Sequence, residues 1–355
     1  MATNTGTHDI STLLAVKHQS VAEFGEDTIA EVLQADLAAH NLIVSDMLSD
    51  LAASTADRQR ISGTSLNGEM VETDEYGRAA TQKATPGQTV GFPLRKFQYA
   101  IGWTRDFMKV ATPADLAIAM QTAQKAHLQR LRREIQRALF LSSNYTFNDH
   151  LIDNVALAVK RLVNADNALI PEGPNGETFD GTSHTHYNAR VGTLAASDVD
   201  ALIADVLEHG HGGQLKIVIN TSNVAAISAL TGFTPLTGAF VTPGSASPTT
   251  AQTLDHTRAN NRIIGYWAGA YEVWTKPWGI SNYFLAYDAS DGAKPLAFRE
   301  RVQPALRGLR IAAEIDLYPL RAQYMEAEFG LGVWNRTNGA VLFTGDTTYT
   351  DPTIA

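Results

Sequence analysis

The stretch that decides the fold is Thr112–Phe140, "TPADLAIAMQTAQKAHLQRLRREIQRALF". Thr112 is a typical helix N-cap, Pro113 suits the first helical position, and Asp115 suits the positively polarised first turn. Large apolar side chains recur at helical spacing behind this cap, at Leu116, Met120, Leu128, Leu131, Ile135 and Leu139. The stretch therefore predicts one helix of about 28 residues, on the order of 40 Å long, against which other elements pack.

The segment before this helix predicts a shorter helix and a long hairpin. From Glu26 onwards apolar residues recur at helical spacing, and this pattern weakens at the polar residues His40 and Asn41. Between Arg60 and Met108 that spacing stops, and short alternating runs flank a turn-rich middle with few large apolar residues. We expect two strand-like arms around a polar tip. Such a tip has no core of its own and is usually covered by another surface or left mobile.

After the long helix the pattern alternates between helices and strands. We expect a helix in 154–166 "NVALAVKRLVNAD", a helix capped by Ser197 in 198–210, a buried strand in 215–220 "LKIVIN", and a short helix closed by Gly232. This order predicts a small α/β module. Two later stretches, 262–288 and 309–345, are rich in aromatic and β-branched residues, and we expect strands there that end near Phe343.

Composition excludes several classes of function. The 355 residues include no cysteine, which removes disulfides, thiolate nucleophiles and cysteine metal sites. The formal net charge of −9 disfavours tight wrapping of nucleic acid, because affinity for a polyanion comes largely from Lys and Arg. No run approaches the roughly 18 apolar residues of a membrane helix, and the start lacks the features of a signal peptide, so we expect a cytoplasmic protein without a membrane partner.

Two His-x-His pairs raise the question of a metal enzyme. In 208–213 "EHGHGG", which holds His209 and His211, every residue has a role in ending a helix, so no ligand role is required. The pair His184 and His186 in "SHTHY" fits a short strand that places both imidazoles on one side. Loop histidines are, however, more often hydrogen-bonded turn residues.

Two carboxylates near the second pair, Glu177 and Asp180, are candidate ligands for a metal. A phosphate loop, a nucleophile elbow and a His-Glu-x-x-His helix are all missing from the sequence. We therefore expect no catalytic residue, no cofactor and no metal, and we keep a metal-dependent enzyme that uses the four histidines as an alternative.

Charged and aromatic clusters have structural explanations as well as functional ones. The long helix has a basic face formed by Lys125, Arg130, Arg132, Arg133 and Arg137. This face predicts either a solvated surface with ion pairs to Glu134 or a contact with nucleic acid or another chain. Glu326 and Glu328 alternate along a predicted strand. The aromatic residues of 265–279 most simply build a β core or an interface: Tyr266, Trp267, Tyr271, Trp274 and Trp278.

The order of these parts resembles the major capsid protein of tailed bacteriophages, which has the Hong Kong 97-type fold. The resemblance covers roughly residues 25–345 and rests on 91–108 "GFPLRKFQYAIGWTRDFM", the capped long helix, 215–233 "LKIVINTSNVAAISALTGF" and 326–343 "EAEFGLGVWNRTNGAVLF". The stretch 164–190, "NADNALIPEGPNGETFDGTSHTHYNAR", also looks like a loop of one branch of these proteins. The resemblance implies an α+β fold with an N-terminal arm, an extended β-hairpin loop, a long spine helix, a peripheral domain and an axial domain.

The resemblance also implies boundaries for these parts. They are an arm with its helix in 1–58, the extended loop in 59–110, the peripheral domain with the spine helix in 111–195, the axial domain in 196–312, and the closing strands and C-terminal tail of the peripheral domain in 313–355.

The implied function is structural rather than enzymatic. Copies of the chain would form pentamers and hexamers of an icosahedral shell that encloses double-stranded DNA without sequence specificity. Further implied partners are a portal, a scaffolding protein and, in some relatives, a decoration protein. Because only about 25 residues precede the arm helix, we expect the scaffold to be a separate chain. The implied location is the virion, with assembly in the host cytoplasm.

Some capsids of this family join a hairpin Lys to an Asn of a neighbour, with a Glu as base. Lys83 is the candidate Lys here, and Glu326 or Glu328 the candidate base, but the approach "DLYPLRAQYM" lacks the expected Asn, so we expect non-covalent contacts. An encapsulin-like compartment that stores an enzyme shares the fold and is the second hypothesis. The candidate assembly residues are Lys83, Arg95, Lys96, Trp103, Arg105, Arg130, Arg132, Arg133, Arg137, Glu326 and Glu328.

Overall fold

The computed structural model describes residues 8–64, 68, 70–83, 86–236, 261–290, 292 and 294–354. The helices are α1 (Ile10–Ala15), α2 (Val21–Phe24), α3 (Glu26–Leu48), α4 (Arg105–Val110), α5 (Pro113–Phe140), α6 (Ala196–Leu207) and α7 (Val224–Ser228). The strands are β1 (Ala52–Thr55), β2 (Gln59–Ser62), β3 (Gln88–Gly91), β4 (Arg95–Thr104), β5 (Tyr145–Asn148), β6 (Ala156–Val159), β7 (Tyr187–Ala189), β8 (Leu215–Ile219), β9 (Phe233–Pro235), β10 (Arg262–Trp267), β11 (Tyr271–Thr275), β12 (Tyr283–Asp288), β13 (Leu296–Glu300), β14 (Arg310–Leu317), β15 (Leu320–Val333) and β16 (Ala340–Phe343).

The predicted long helix is confirmed as α5, which runs for 28 residues. The Asp115 carboxylate accepts hydrogen bonds from the backbone N–H and the hydroxyl of Thr112, both at 2.9 Å, and so fixes the first turn. The apolar stripe of α5 enters the largest core of the protein, where Leu131 and Leu139 are fully buried. Tertiary burial of this stripe, more than helix propensity, stabilises so long a helix.

The predicted arm helix is confirmed as α3, and it packs against α5 through the same core. The interruption of its apolar pattern at His40 is explained by a buried polar contact, in which His40 Nε2 lies 2.9 Å from His127 Nδ1 of α5. Beside it, Gln124 donates a 2.6 Å hydrogen bond to Asp36. Each helix therefore satisfies the polar groups that the other buries.

Two larger sheets organise the described strands. Five strands form one sheet in the order β1-β13-β15-β14, with β4 also paired to β15. Seven strands form the other, in the order β7-β16-β12-β8-β11-β10-β9. The buried face of α6 and the inner face of the seven-stranded sheet share a second core, which includes Val206, Ile217 and Trp267. The α/β module and the aromatic strands expected from the sequence are thus confirmed.

The helix expected in 154–166 is wrong, because β6 occupies its first half. In β6 exposed and buried residues alternate, so that Leu157 and Val159 pack with Phe147 of the partner strand β5. The spacing of the apolar residues in this stretch fits both the helical period and the strand period. Pairing with β5 stabilises the strand.

The base of the predicted hairpin is present, because β2 and β3 pair antiparallel over four residues each. Beyond this base, residues 70–83 carry no strand and every one of them is exposed. The expected tip also includes residues 65–67, 69, 84 and 85, which lie outside the described residues.

The sheets divide the chain differently from the expected domain boundaries. β13 belongs to the expected axial segment 196–312 but pairs with β1 and β15 of the five-stranded sheet. β16 belongs to the expected closing segment 313–355 but pairs with β12 of the seven-stranded sheet. The chain therefore crosses between the two sheets more often than a linear division allows. Residues 1–7, 237–260, 291, 293 and 355 of those segments lie outside the described residues.

Among the described helices, none combines the length and the apolar character needed to cross a lipid bilayer.

Candidate assembly surfaces and a histidine cluster

The loop beyond β2 and β3 offers one candidate surface. Lys83 is exposed there, as are the large side chains of Met70 and Tyr76. Exposed apolar side chains on a segment without a core of its own are typical of surfaces that a partner covers.

The hairpin of β14 and β15 offers a second surface, because it projects beyond the core. Leu317 is 72% exposed, Tyr318 80% and Leu320 58%, and all three lie around its turn. At the neighbouring edge Arg105 forms an ion pair with Asp316 at 2.8 Å. Trp103, on the adjacent strand β4, is half-buried and lies opposite Arg321.

The basic face of α5 is partly neutralised within the chain, as the sequence predicted. Glu134 is buried, and its Oε1 lies 2.7 Å from Arg130 and 3.1 Å from Arg137. The Arg130 guanidinium also stands 4.3 Å from the centre of the Phe97 ring. The other members of the basic face differ in exposure: Lys125 and Arg133 are exposed, and Arg132 is half-buried.

The two candidate base carboxylates are already paired. Glu326 is buried, lies 2.5 Å from Lys96 and also contacts Arg310. Burial raises the pKa of Glu326, but hydrogen bonds from Lys96 and Gln98 and the charge of Arg310 together lower it below its ordinary value. A carboxylate stabilised in its charged form by two cations is a poor proton acceptor.

The second carboxylate, Glu328, contacts Arg301 and lies 3.7 Å from Arg310. Arg95, the remaining sequence-predicted residue, is half-buried with its guanidinium 4.9 Å from the centre of the Phe147 ring. The predicted assembly residues are thus distributed over the loop, the strands β4 and β15, the start of α4 and the basic face of α5.

A cluster of histidines forms at a different place. Nε2 of His186 lies 3.0 Å from Nε2 of His209 and 3.1 Å from Nε2 of His184, and the third separation, between His184 and His209, is 3.2 Å. Glu208 Oε1 lies 3.3 Å from His184 Nε2 and 3.7 Å from His209 Nε2. The structure therefore brings both histidines of the first pair, His184 and His186, to one point with His209 of the second.

Local structure explains this convergence. The end of α6, followed by Gly210 with a φ of +80°, directs Glu208 and His209 towards the loop that precedes β7. His186 in that loop is fully buried. The Phe179 ring closes one side, with its centre 4.9 Å from that of His184 and 4.2 Å from that of His209.

Burial keeps these imidazoles neutral. Desolvation lowers the pKa of His186 and of His209 to about 3 and also lowers the pKa of His184. Desolvation raises the pKa of Glu208, and the nearby charge of Glu177 adds to the effect. A neutral imidazole is the form that ligates a metal.

Sequence reasoning identified the pairs but not their arrangement. The carboxylate at the cluster is Glu208, whereas Glu177 accepts a hydrogen bond from the Asn175 amide and Asp180 accepts one from the Thr182 N–H. His211 lies apart, with its Nε2 2.9 Å from the Thr337 hydroxyl. The signal in the sequence was the repeated spacing itself, which gains meaning only when both pairs are considered together.

Comparisons with known proteins come from solved structures. No family model matches the chain, and neither does any curated protein. A structure from Mycobacterium phage Patience matches with a TM-score of 0.66 and 19% identity over 99% of this chain and 96% of that chain. The capsid of a native GTA particle matches with a TM-score of 0.47 and 15% identity over 85% and 91% of the two chains. The holo-SrpI encapsulin complex of Synechococcus elongatus matches with a TM-score of 0.46 and 11% identity over 97% and 98%.

The first of these likenesses extends over nearly the whole of both chains. The fold expected from the order of the sequence elements is therefore confirmed: the chain has the α+β Hong Kong 97-like fold of tailed-phage major capsid proteins.

Proposed function

We propose that the chain is a major capsid protein, copies of which assemble into the pentamers and hexamers of an icosahedral shell around double-stranded DNA. The observation that carries the proposal is the fold likeness to the structure from Mycobacterium phage Patience over 99% of this chain. The role is structural and non-enzymatic, its location is the virion, and assembly takes place in the host cytoplasm.

Unpartnered elements support self-association. The exposed loop 70–83 and the apolar turn at Leu317 and Leu320 have no cover within the described chain. In a shell, neighbouring copies cover such surfaces, and the stability of these elements becomes linked to assembly. Pentamers and hexamers meet the need for a cover, because each copy then has a neighbour on either side.

Charge supports a container for DNA rather than a protein that wraps it. The formal net charge is −9, so the chain as a whole repels a polyanion, while Lys125 and Arg133 give α5 a local exposed basic face. The DNA would be held by confinement and without sequence specificity. A portal, a separate scaffolding protein and, optionally, a decoration protein complete the proposed assembly.

The five expected parts have proposed roles in this shell. Residues 1–58 form the arm, whose helix α3 packs on α5 of the same chain, and 59–110 carry the extended loop. The peripheral domain is built by 111–195 and 313–355 together with β13, whereas β7 and β16 join the rest of 196–312 in the axial domain around the symmetry axes. Lys83 and the paired Glu326 and Glu328 make non-covalent contacts in this proposal, because both carboxylates already have cationic partners.

The test is deletion of the hairpin tip, Glu75 to Gly87, followed by electron microscopy of the purified protein. We expect a soluble subunit, because residues 75–83 are all exposed, and we expect this subunit to fail to form stable closed shells. Normal shells from this variant would contradict the assigned role of the loop. In shells of the unaltered protein, packaged DNA supports a virion, whereas a stored enzyme would indicate an encapsulin-like compartment instead.

A further inference from the structure

The histidine cluster cannot satisfy itself with hydrogen bonds. The Gly339 carbonyl only accepts, so the 2.7 Å contact with His186 requires that Nδ1 of His186 donates. A neutral His186 therefore has no proton on Nε2, and this lone pair faces the other two rings. Three N–N contacts need three protons, and at most two are available. If His184 and His209 both carried a proton on Nε2, these N–H groups would face each other at 3.2 Å.

The geometry suits an ion that accepts all three lone pairs. Tetrahedral Zn²⁺ with Zn–N distances of about 2.0–2.1 Å holds its nitrogen ligands roughly 3.3 Å apart. The three separations between Nε2 atoms are 3.0, 3.1 and 3.2 Å. An ion about 1 Å above the plane of these atoms would reach all three at a normal bond length. The ring centres are 5.0–5.3 Å apart, so the rings diverge from the Nε2 atoms as ligands around one ion do.

A fourth ligand stands next to the three nitrogens. Glu208 Oε1 is buried and makes no hydrogen bond within the described chain, and its distances to His184 and His209 are 3.3 and 3.7 Å. The potential ligand atoms of all four residues lie within 4.8 Å of one another. A carboxylate oxygen completes a tetrahedral set and supplies a negative charge against the cation.

We propose that His184, His186, His209 and Glu208 bind one divalent transition-metal ion, for which Zn²⁺ is the best chemical match. Three imidazoles and one carboxylate suit Zn²⁺ better than Mg²⁺ or Ca²⁺, which prefer oxygen ligands. The proposal differs from the expectation of no metal, which considered each His-x-His pair alone. It does not depend on the proposed shell function.

Outer contacts orient the ligands. The hydrogen bond from His186 to Gly339 fixes the orientation of that ring, as the second nitrogen of a ligating histidine usually requires. Phe179 shields the rings of His184 and His209. The side chain of His209 is 2% exposed and that of His184 is 20% exposed, so solvent access is limited.

The ion has a structural role in this proposal. It joins the loop before β7, which supplies His184 and His186, to the end of α6, which supplies Glu208 and His209. Through His186 it also reaches the turn at Gly339 that precedes β16. Four protein ligands leave no open position, which is typical of structural rather than catalytic zinc.

The experiment uses the full chain, purified without a histidine tag and treated with a chelator. Zn²⁺ is then added, and bound metal and melting temperature are measured. We expect one Zn²⁺ per chain and a rise in Tm of at least about 2 °C at saturating metal. Replacement of Zn²⁺ by Co²⁺ is expected to give the intense visible absorption of a tetrahedral complex.

Two matched variants locate the site. His184→Ala is expected to lower Zn²⁺ affinity by more than the roughly 10- to 100-fold that loss of an outer partner costs. His211→Ala makes the same chemical change in the adjacent turn, outside the cluster, and is expected to keep the affinity of the unaltered chain. If His184→Ala fails to fold, the site is tested by the Zn²⁺ affinity of Glu208→Gln and by the Co²⁺ spectrum of the unaltered chain. The proposal is overturned if the unaltered chain binds no Zn²⁺, if its Co²⁺ spectrum is octahedral, or if the folded His184→Ala variant binds as tightly.

Discussion

Replacing Leu317 and Leu320 by serine tests whether the projecting hairpin turn is an assembly contact. The two residues are paired across the turn of β14 and β15 and are 72% and 58% exposed. Their exposed fractions together equal about one and a third leucine side chains. Burial of a whole leucine contributes about 1.5–3 kcal/mol, so a neighbour that covers the turn gains roughly 2–4 kcal/mol per subunit from these two side chains.

Serine removes nearly all of that gain. A loss of about 3 kcal/mol weakens each contact on the order of 100-fold. The fold of the subunit should be unaffected, because exposed side chains contribute little to its stability and the backbone pairing of β14 and β15 is unchanged. We therefore expect an unchanged Tm together with a sharply raised critical concentration for assembly.

The assay is sedimentation velocity over a concentration series under conditions in which the unaltered protein assembles. Replacement of the same two leucines by methionine preserves the apolar area and serves as the matched control, which we expect to assemble normally. A serine variant that assembles at the same concentration as the unaltered chain would refute the assignment of this turn as a contact.

Three further changes test the account of the subunit itself. Leu131→Ala is expected to destabilise the unassembled subunit by about 2–5 kcal/mol in urea denaturation, because it leaves a cavity beside α5. Burial raises the pKa of Asp288, but hydrogen bonds from Ser290 and the Gly213 N–H lower it to about 2. Asp288→Asn should therefore lower the free energy of unfolding by about 1.5–3 kcal/mol at pH 7. This difference should shrink as the pH falls from 3.8 towards 2. Burial raises the pKa of Asp205 to about 7, so the charge of this carboxylate opposes folding increasingly as the pH rises from 3.8 through 7. Asp205→Asn should therefore raise Tm at pH 8 and have little effect on Tm near pH 4.

Local sequence patterns predicted much of the fold because they coincide with burial. The cap at Thr112 and the stripe behind it predict α5, because they fit the helical period over many turns, and the run 215–220 predicts β8, because it is short and rich in β-branched residues. The stretch around Ala156–Val159 fits both helix and strand. Its pairing with β5 is a tertiary contact that no local pattern contains.

The histidine cluster required information that local patterns lack. His186 and His209 are 23 residues apart, and the path of the loop between them decides whether they meet. The sequence predicted a helix up to Gly210, whereas α6 ends at Leu207, and the direction in which Glu208 then points was not predictable. Similarly, the ion pair of Glu326 with Lys96 follows from the register of β4 on β15, which the sequence alone leaves open.

Electron microscopy of the purified full-length protein, coexpressed with any scaffolding partner, tests the central claim most directly. The account predicts closed icosahedral shells built from pentamers and hexamers of this chain. A protein that stays monomeric or forms only small oligomers under all assembly conditions would contradict it.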